Sequence, residues 1–293
     1  MDWKGFWEIV RNVNPAPLTG FFAICVINMW LTSMRWGMLL GADGLEVPTA
    51  KLFASHWIGS FFNFFMPSNI GGDVYRVADI AKKSGKAVNA LASVFADRVL
   101  GFIAMATFGF IFPLFGLGKV PIEHRSKLLI PLAVFFCFMI LVVLIWQRGI
   151  LLWFARFLPG KIRGKVEDVL GKFLESAQAY GKKPMVLLKG MMLSFVSQFN
   201  LIVAVYCIGM SLGLGIPFFL YCVFVPLIGL LEAVPSTING MGFRDAGYIM
   251  FFTAAGLAQP APSAAAISLL YMMLTLLYAS FGGLIFLRRI SKK

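Results

Sequence analysis

Long apolar runs are the strongest constraint on how this chain can fold. They fall at 18–40, 49–67, 88–117, 128–146, 184–212, 217–235, 243–257 and 263–287. About 20 apolar residues wound as a helix match the hydrocarbon thickness of a bilayer. A helix also satisfies its own backbone N–H and C=O groups, which lipid cannot do. The chain therefore reads as an all-α polytopic membrane protein. The runs at 49–67, 217–235 and 243–257 are short or broken by Pro and Gly. Each is a full span or the arm of a re-entrant hairpin, which bounds the total at six to eight crossings.

Charge supports the same class. Charged residues make up 13% of the chain, against about 25% in soluble domains. The formal net charge of +13 raises nucleic acid as a partner. The cations sit between apolar runs, however, where they orient spans and meet anionic headgroups. No nucleic-acid partner is expected. The four cysteines lie in apolar runs without a CxxC, as buried free thiols do. No cleavable leader is expected.

The basic segments 73–86 and 148–183 and the C-terminal tail are assigned to the cytoplasm. The segment 41–48, with Asp43 and Glu46, and the uncharged 258–262 are assigned outside, and 118–127 must follow them. Both termini then lie in the cytoplasm of a multi-pass inner-membrane protein. Segments 74–84 and 163–180 show helical apolar periodicity with basic polar faces. Each is either a surface helix or a packed linker helix.

One pattern is repeated. Residues 67–78 read PSNIGGDVYRVA and residues 235–246 read PSTINGMGFRDA. At a separation of 168 they share Pro67/Pro235, Ser68/Ser236, Ile70/Ile238, Gly72/Gly240, Arg76/Arg244 and Ala78/Ala246. The expected organisation is one membrane domain over 1–293. It contains repeat 1 at about 18–147, an amphipathic cytoplasmic linker at 148–183, and repeat 2 at about 184–287. Pro ends a helix, Ser or Thr caps the next one, and Gly permits a tight turn. A broken helix of this kind exposes N–H groups, and an Arg one turn on completes an anion site. The alternative is a plain Pro/Gly turn with an Arg reaching the membrane surface. The candidate headgroup-binding residues are Ser68, Asn69, Gly71, Gly72 and Arg76, with Ser236, Asn239, Gly240, Gly242 and Arg244.

Charges at membrane depth are functional candidates. Here they are Asp73, Asp97, Arg98, Glu232 and Asp245. Asp97 could meet Arg76, Arg98 could meet Asp73, and Glu232 could either neutralise Arg244 or take a proton during transport. Arg35 reads as a snorkelling residue near a span end. His56 reads as a satisfied interior group, and Asn63 as a donor or acceptor between helices. There is no HExxH, P-loop, GxSxG or metal spacing, so no catalytic residue, metal or cofactor is assigned.

The stretch from Asn63 through Pro67, Gly71, Gly72, Asp73 and Arg76, followed by 93–101 with Asp97 and Arg98, resembles the lysylphosphatidylglycerol synthase transmembrane-region, or flippase-like domain, family. The block 235–245 is similar to that family's second motif, with Asp245 where Glu is common. In that family the membrane part moves a lipid that a soluble transferase lobe has modified. The resemblance implies the translocation half, acting on an anionic or phosphate-bearing lipid. A membrane glycosyl- or acyl-transferase using a lipid-linked donor, with Asp73 or Asp97 as base, is the alternative. A non-transporting subunit of a lipid-synthesis complex is the third reading. Membrane lipids are the expected partners, with a homo-oligomer or a lipid-synthesis enzyme left open.

Overall fold

The computed structural model describes residues 7–8, 11–65, 70–116, 136, 140, 160–232, 242–254 and 260–291. The candidate residues Ser68, Asn69, Ser236, Asn239 and Gly240 lie outside them, as does most of the run at 128–146. Regular structure among the described residues is helical. The helices are α1 (Ala16–Ala42), α2 (Thr49–Phe62), α3 (Ile70–Ser84), α4 (Ala87–Gly116), α5 (Gly160–Gly181), α6 (Pro184–Ser211), α7 (Phe218–Glu232), α8 (Phe243–Ala254) and α9 (Pro260–Ser291). Among the described residues, four of them are long and apolar enough to cross a membrane: α1, α4, α6 and α9. Their outer faces carry Ile27, Leu188, Met192, Leu276 and Leu284, all exposed. In water such a surface would aggregate; in lipid it is solvated.

The helix ends follow local chemistry. Asn14 caps the start of α1, its Oδ1 accepting the Ala16 N–H at 3.0 Å. Pro184 opens α6, where its missing N–H costs nothing. The link from α1 to α2 passes through Gly44 at φ 72°, and that from α6 to α7 through Gly213 at φ 64°. These conformations favour glycine.

Helices α1 and α6 form an antiparallel central pair. The Asn14 N–H donates to the Ser211 carbonyl at 2.7 Å, and the Lys183 ammonium donates to the Ala42 carbonyl at 2.6 Å at the other end. Between these points Gly20 lies against Cys207, and Arg35 donates to Ser194 at 2.7 Å. The α2–α3 hairpin packs on the Ala42 half of this pair. Trp36, Leu40, Leu45, Leu52, Ile80, Ala90 and Val94 form one buried cluster there. The end of α1, the start of α2, the end of α3 and the start of α4 thus gather at one end of the bundle. The larger core lies toward the other end, where Phe21, Ile208, Tyr221, Phe224, Phe251 and Ile267 pack α7, α8 and the start of α9 against α1 and α6. There α7 and α8 make a second antiparallel hairpin, with Phe224 stacked on Phe251.

Three expectations change. Segment 41–48 does not sit across the bundle from the basic segments. Asp43 accepts the hydroxyls of Ser176 and Tyr180 on α5, and it shares a surface pocket with Lys86 and Lys172. Asp and Glu contribute little to span orientation, so an acidic loop was a poor marker of the outer face. Asn14 also lies at the Ser211 end, whereas Arg289 on α9 donates to Asp79 on α3 at 3.3 Å near the opposite end. The two described terminal segments are therefore at opposite ends of the bundle, not on one face. The amphipathic segment 74–84 is not a surface helix either. It is the second arm of a hairpin, with Ile80 and Arg76 buried.

Candidate functional site

The two hairpins point toward each other, and their inner ends meet a cavity of about 440 Å³. Arg76 from the first hairpin and Arg244 from the second both line it. Each guanidinium lies over an aromatic ring. Arg76 sits 4.2 Å from the centroid of Trp36, and Arg244 sits 5.1 Å from that of Tyr271. Both arginines are almost fully buried, at 3% and 2% exposure.

The first pole is an alternating chain of charge. Arg35 Nε donates to Asp97 Oδ1 at 2.6 Å, and Arg76 Nη2 donates to Asp97 Oδ2 at 3.0 Å. Arg76 Nη1 reaches Asp73 Oδ1 at 3.3 Å, and Arg98 Nε reaches Asp73 Oδ2 at 2.8 Å. Every carboxylate oxygen in this chain thus carries a guanidinium. Such charge-assisted bonds offset the cost of holding ions out of water. The adjacent Asp97 and Arg98 point different ways on α4, so each takes its partner from a different place.

The second pole is looser. Arg244 Nε donates to Ser268 Oγ at 2.9 Å, while Glu232 stands 3.9 Å away. The Ser268 hydroxyl donates in turn to Asp245. Asp245 also accepts the Gly242 N–H at 3.1 Å, capping α8. Gly242 has φ 92°, a conformation that a side chain would strain.

Arg76, Asp97, Arg98, Glu232 and Arg244 line the cavity, while Asp73 and Asp245 stand behind it. Gly72 has a packing role: a Cβ there would run into the backbone of Gly59 and the side chain of Asn63. Its N–H donates to Asn63 Oδ1 at 2.6 Å, which ties the two arms of the hairpin together. Gly71 is buried beside it.

Several contributors escaped sequence reasoning. Arg35 does not snorkel; it is 6% exposed and bonded across three helices. Asn28, Thr32 and Ser197 line the cavity although nothing in their local sequence singles them out. Their polarity inside apolar spans was the available signal. Ser268 lies in a run rich in small residues, where one hydroxyl is unremarkable.

The chain resembles known proteins along most of its length. A UPF0104 membrane protein of Methanothermobacter thermautotrophicus is 26% identical over 275 residues, covering 88% of this chain and 81% of that protein. A UPF0104 membrane protein of Pyrococcus horikoshii is 25% identical over 285 residues, covering 88% of this chain and 83% of that one. No solved structure matches. Residues 1–283 match the family described as Lysylphosphatidylglycerol synthase TM region, and this membrane protein belongs to that family.

Proposed function

We propose that this protein is a lipid carrier of the flippase type, which takes an anionic or phosphate-bearing headgroup into the central cavity and passes it across the cytoplasmic membrane. One observation carries the reading. Two arginines 168 residues apart, Arg76 and Arg244, come from separate hairpins and line one cavity. Guanidiniums screened from bulk water are strong ligands for phosphate oxygens.

The arrangement of elements supports it. Helices α1 to α4 and α6 to α9 follow the same order: long, short, short, long. In this reading they are two repeats of opposite orientation. Their hairpins α2–α3 and α7–α8 are re-entrant and enter from opposite faces, so the protein is thinnest at the cavity. The end carrying Lys82, Lys83, Lys86, Lys183, Arg288 and Arg289 faces the cytoplasm. The C-terminal segment is then inside and Asn14 outside. Headgroup binding by Ser68, Asn69, Ser236, Asn239 and Gly240 is part of this proposal, as is the coupling role of Asp73, Asp97, Arg98, Glu232 and Asp245. The transferase alternative has less support, because both candidate bases, Asp73 and Asp97, have each oxygen occupied by an arginine.

The test is headgroup translocation in proteoliposomes holding the purified chain, with a fluorescent phosphatidylglycerol as reporter. Arg244→Gln and Arg76→Gln are expected to cut the protein-dependent rate at least tenfold, while Lys at either position retains part of it. Native rates in both Gln variants would refute the mechanism.

A further inference from the structure

The acids of the two poles are held very differently. Asp73 and Asp97 carry a guanidinium on every oxygen. Glu232 does not. Its carboxylate accepts no hydrogen bond from the described residues, and Arg244, the cation beside it, stands 3.9 Å away. That arginine commits its Nε to Ser268 Oγ, and its Nη groups make no hydrogen bond among the described residues. The Glu232 side chain is 25% exposed and lines the cavity.

The charge of the cluster gives this looseness a use. The four guanidiniums that line the cavity are matched by four carboxylates: Asp97 and Glu232 on its wall, and Asp73 and Asp245 behind them. With all of them ionised the cluster is neutral. An anion that enters brings one uncompensated charge, which is costly away from bulk water. A proton taken with the anion restores neutrality. Glu232 takes one at the least cost, because no hydrogen bond to a described residue is lost. A proton on Asp97 would break a bond to Arg35 or Arg76. One on Asp73 would break a bond to Arg76 or Arg98. One on Asp245 would disturb its bonds from Ser268 and the Gly242 N–H.

We propose that Glu232 is the proton-binding site of this carrier, so that an anionic headgroup and a proton enter the cavity together. While ionised, Glu232 holds Arg244. When cargo arrives, its oxyanion replaces the carboxylate beside the guanidinium. Glu232 takes one proton from water, the O–H bond forms at a carboxylate oxygen, and the total charge of cluster plus cargo stays where it was. The reverse step at the other face releases both. Acids at membrane depth serve as proton relays in this way. The inference rests on the carrier reading and adds its driving force, a proton gradient.

The groups around Glu232 fit the assignment. Helix α8 brings Arg244, Asp245 and Tyr248, and α9 brings Tyr271. Asp245 repels the ionised acid, and Arg244 is its nearest cation among the described residues. Free tyrosines ionise only near about pH 10. Helix α4 faces the cavity with Asp97 and Arg98, and α6 with the neutral Ser197 and Gln198. His56 also lines the cavity, but it stands among Arg35, Arg76 and Arg98, which oppose a further cation there.

Titration calorimetry in buffers of different ionisation enthalpy tests this by counting the protons taken up as dioctanoyl-phosphatidylglycerol binds the purified full chain in detergent. Between roughly pH 6 and pH 8.5, where that phosphodiester stays ionised, the native chain is expected to take up as much as about one proton per lipid bound. Because binding takes up the proton, affinity is fully present at low pH and falls by up to about tenfold per pH unit as pH rises. Glu232→Gln is expected to bind with no uptake and with constant affinity across the range, while Glu232→Asp and His56→Gln keep the uptake. No uptake by the native chain, no binding of the probe at any pH, or uptake that persists in Glu232→Gln would overturn the assignment. In proteoliposomes, translocation that needs Arg76 and Arg244 but ignores an imposed pH gradient would remove this inference and leave carriage standing. Glu232-dependent uptake on binding, without translocation, would remove carriage and leave Glu232 as the proton site.

Discussion

Asp97 is the residue on which the first pole depends. It sits in the middle of α4, 3% exposed, and joins Arg35 on α1 to Arg76 on α3. An aspartate at that depth is costly unless both oxygens are bonded, and here both are. Its removal leaves two guanidiniums buried together. Asp97→Leu is therefore expected to cost about 3–5 kcal/mol, and more than Arg35→Met, since the latter leaves Asp97 with Arg76. Thermal unfolding in detergent checks the order of the two variants; equal midpoints would show that the pair is not coupled as described. The pairings of Asp97 with Arg76 and of Arg98 with Asp73 were legible in the sequence, because charges at membrane depth have few alternatives to one another. Arg35 was misread, because nearness to a span end says nothing of which way a side chain faces.

At the scale of elements, α5 fastens the end of the central pair. Phe173 packs on Phe95 of α4 at 5.4 Å between ring centroids. The hydroxyls of Ser176 and Tyr180 reach Asp43 past the end of α1. Burial, and then the neighbouring Asp43 carboxylate, push the Tyr180 hydroxyl above its ordinary range, so it stays a donor at every physiological pH. Tyr180→Phe is expected to cost about 0.5–1.5 kcal/mol and to raise hydrogen exchange across α5 without changing lipid binding in the cavity. Unchanged exchange would show that the hydroxyl contributes nothing to docking. The periodicity of this helix was plain in the sequence, while its partner was not: the acidic loop at 41–48 looked like the marker of another face. Through Asp43 it is part of the surface on which α5 docks.

The whole molecule is organised by the antiparallel crossing of α1 and α6. If Asn14 and Arg289 lie on opposite membrane faces, single cysteines there, in a chain with Cys25, Cys137, Cys207 and Cys222 replaced by Ala, will react with a membrane-impermeant maleimide from opposite sides. The Asn14→Cys and Ser211→Cys pair will cross-link under mild oxidation, since the two backbones are hydrogen-bonded at 2.7 Å. Labelling of positions 14 and 289 from the same side would overturn the arrangement of the two halves.

The amino-acid sequence by itself determined the helical membrane class, because apolar length and self-satisfied backbone leave few alternatives in lipid. It also pointed to the two arginine-bearing segments and to three of the ion pairs, since their residue types and spacing are local properties of the chain. Tertiary structure alone decided that Arg76 and Arg244 share one cavity, that Asn28 and Thr32 face it, and that Asp43 belongs with α5. Those facts depend on how helices far apart in the chain cross and rotate against each other. Side-chain packing and interhelical hydrogen bonds set that geometry in a bilayer, and no local pattern encodes it.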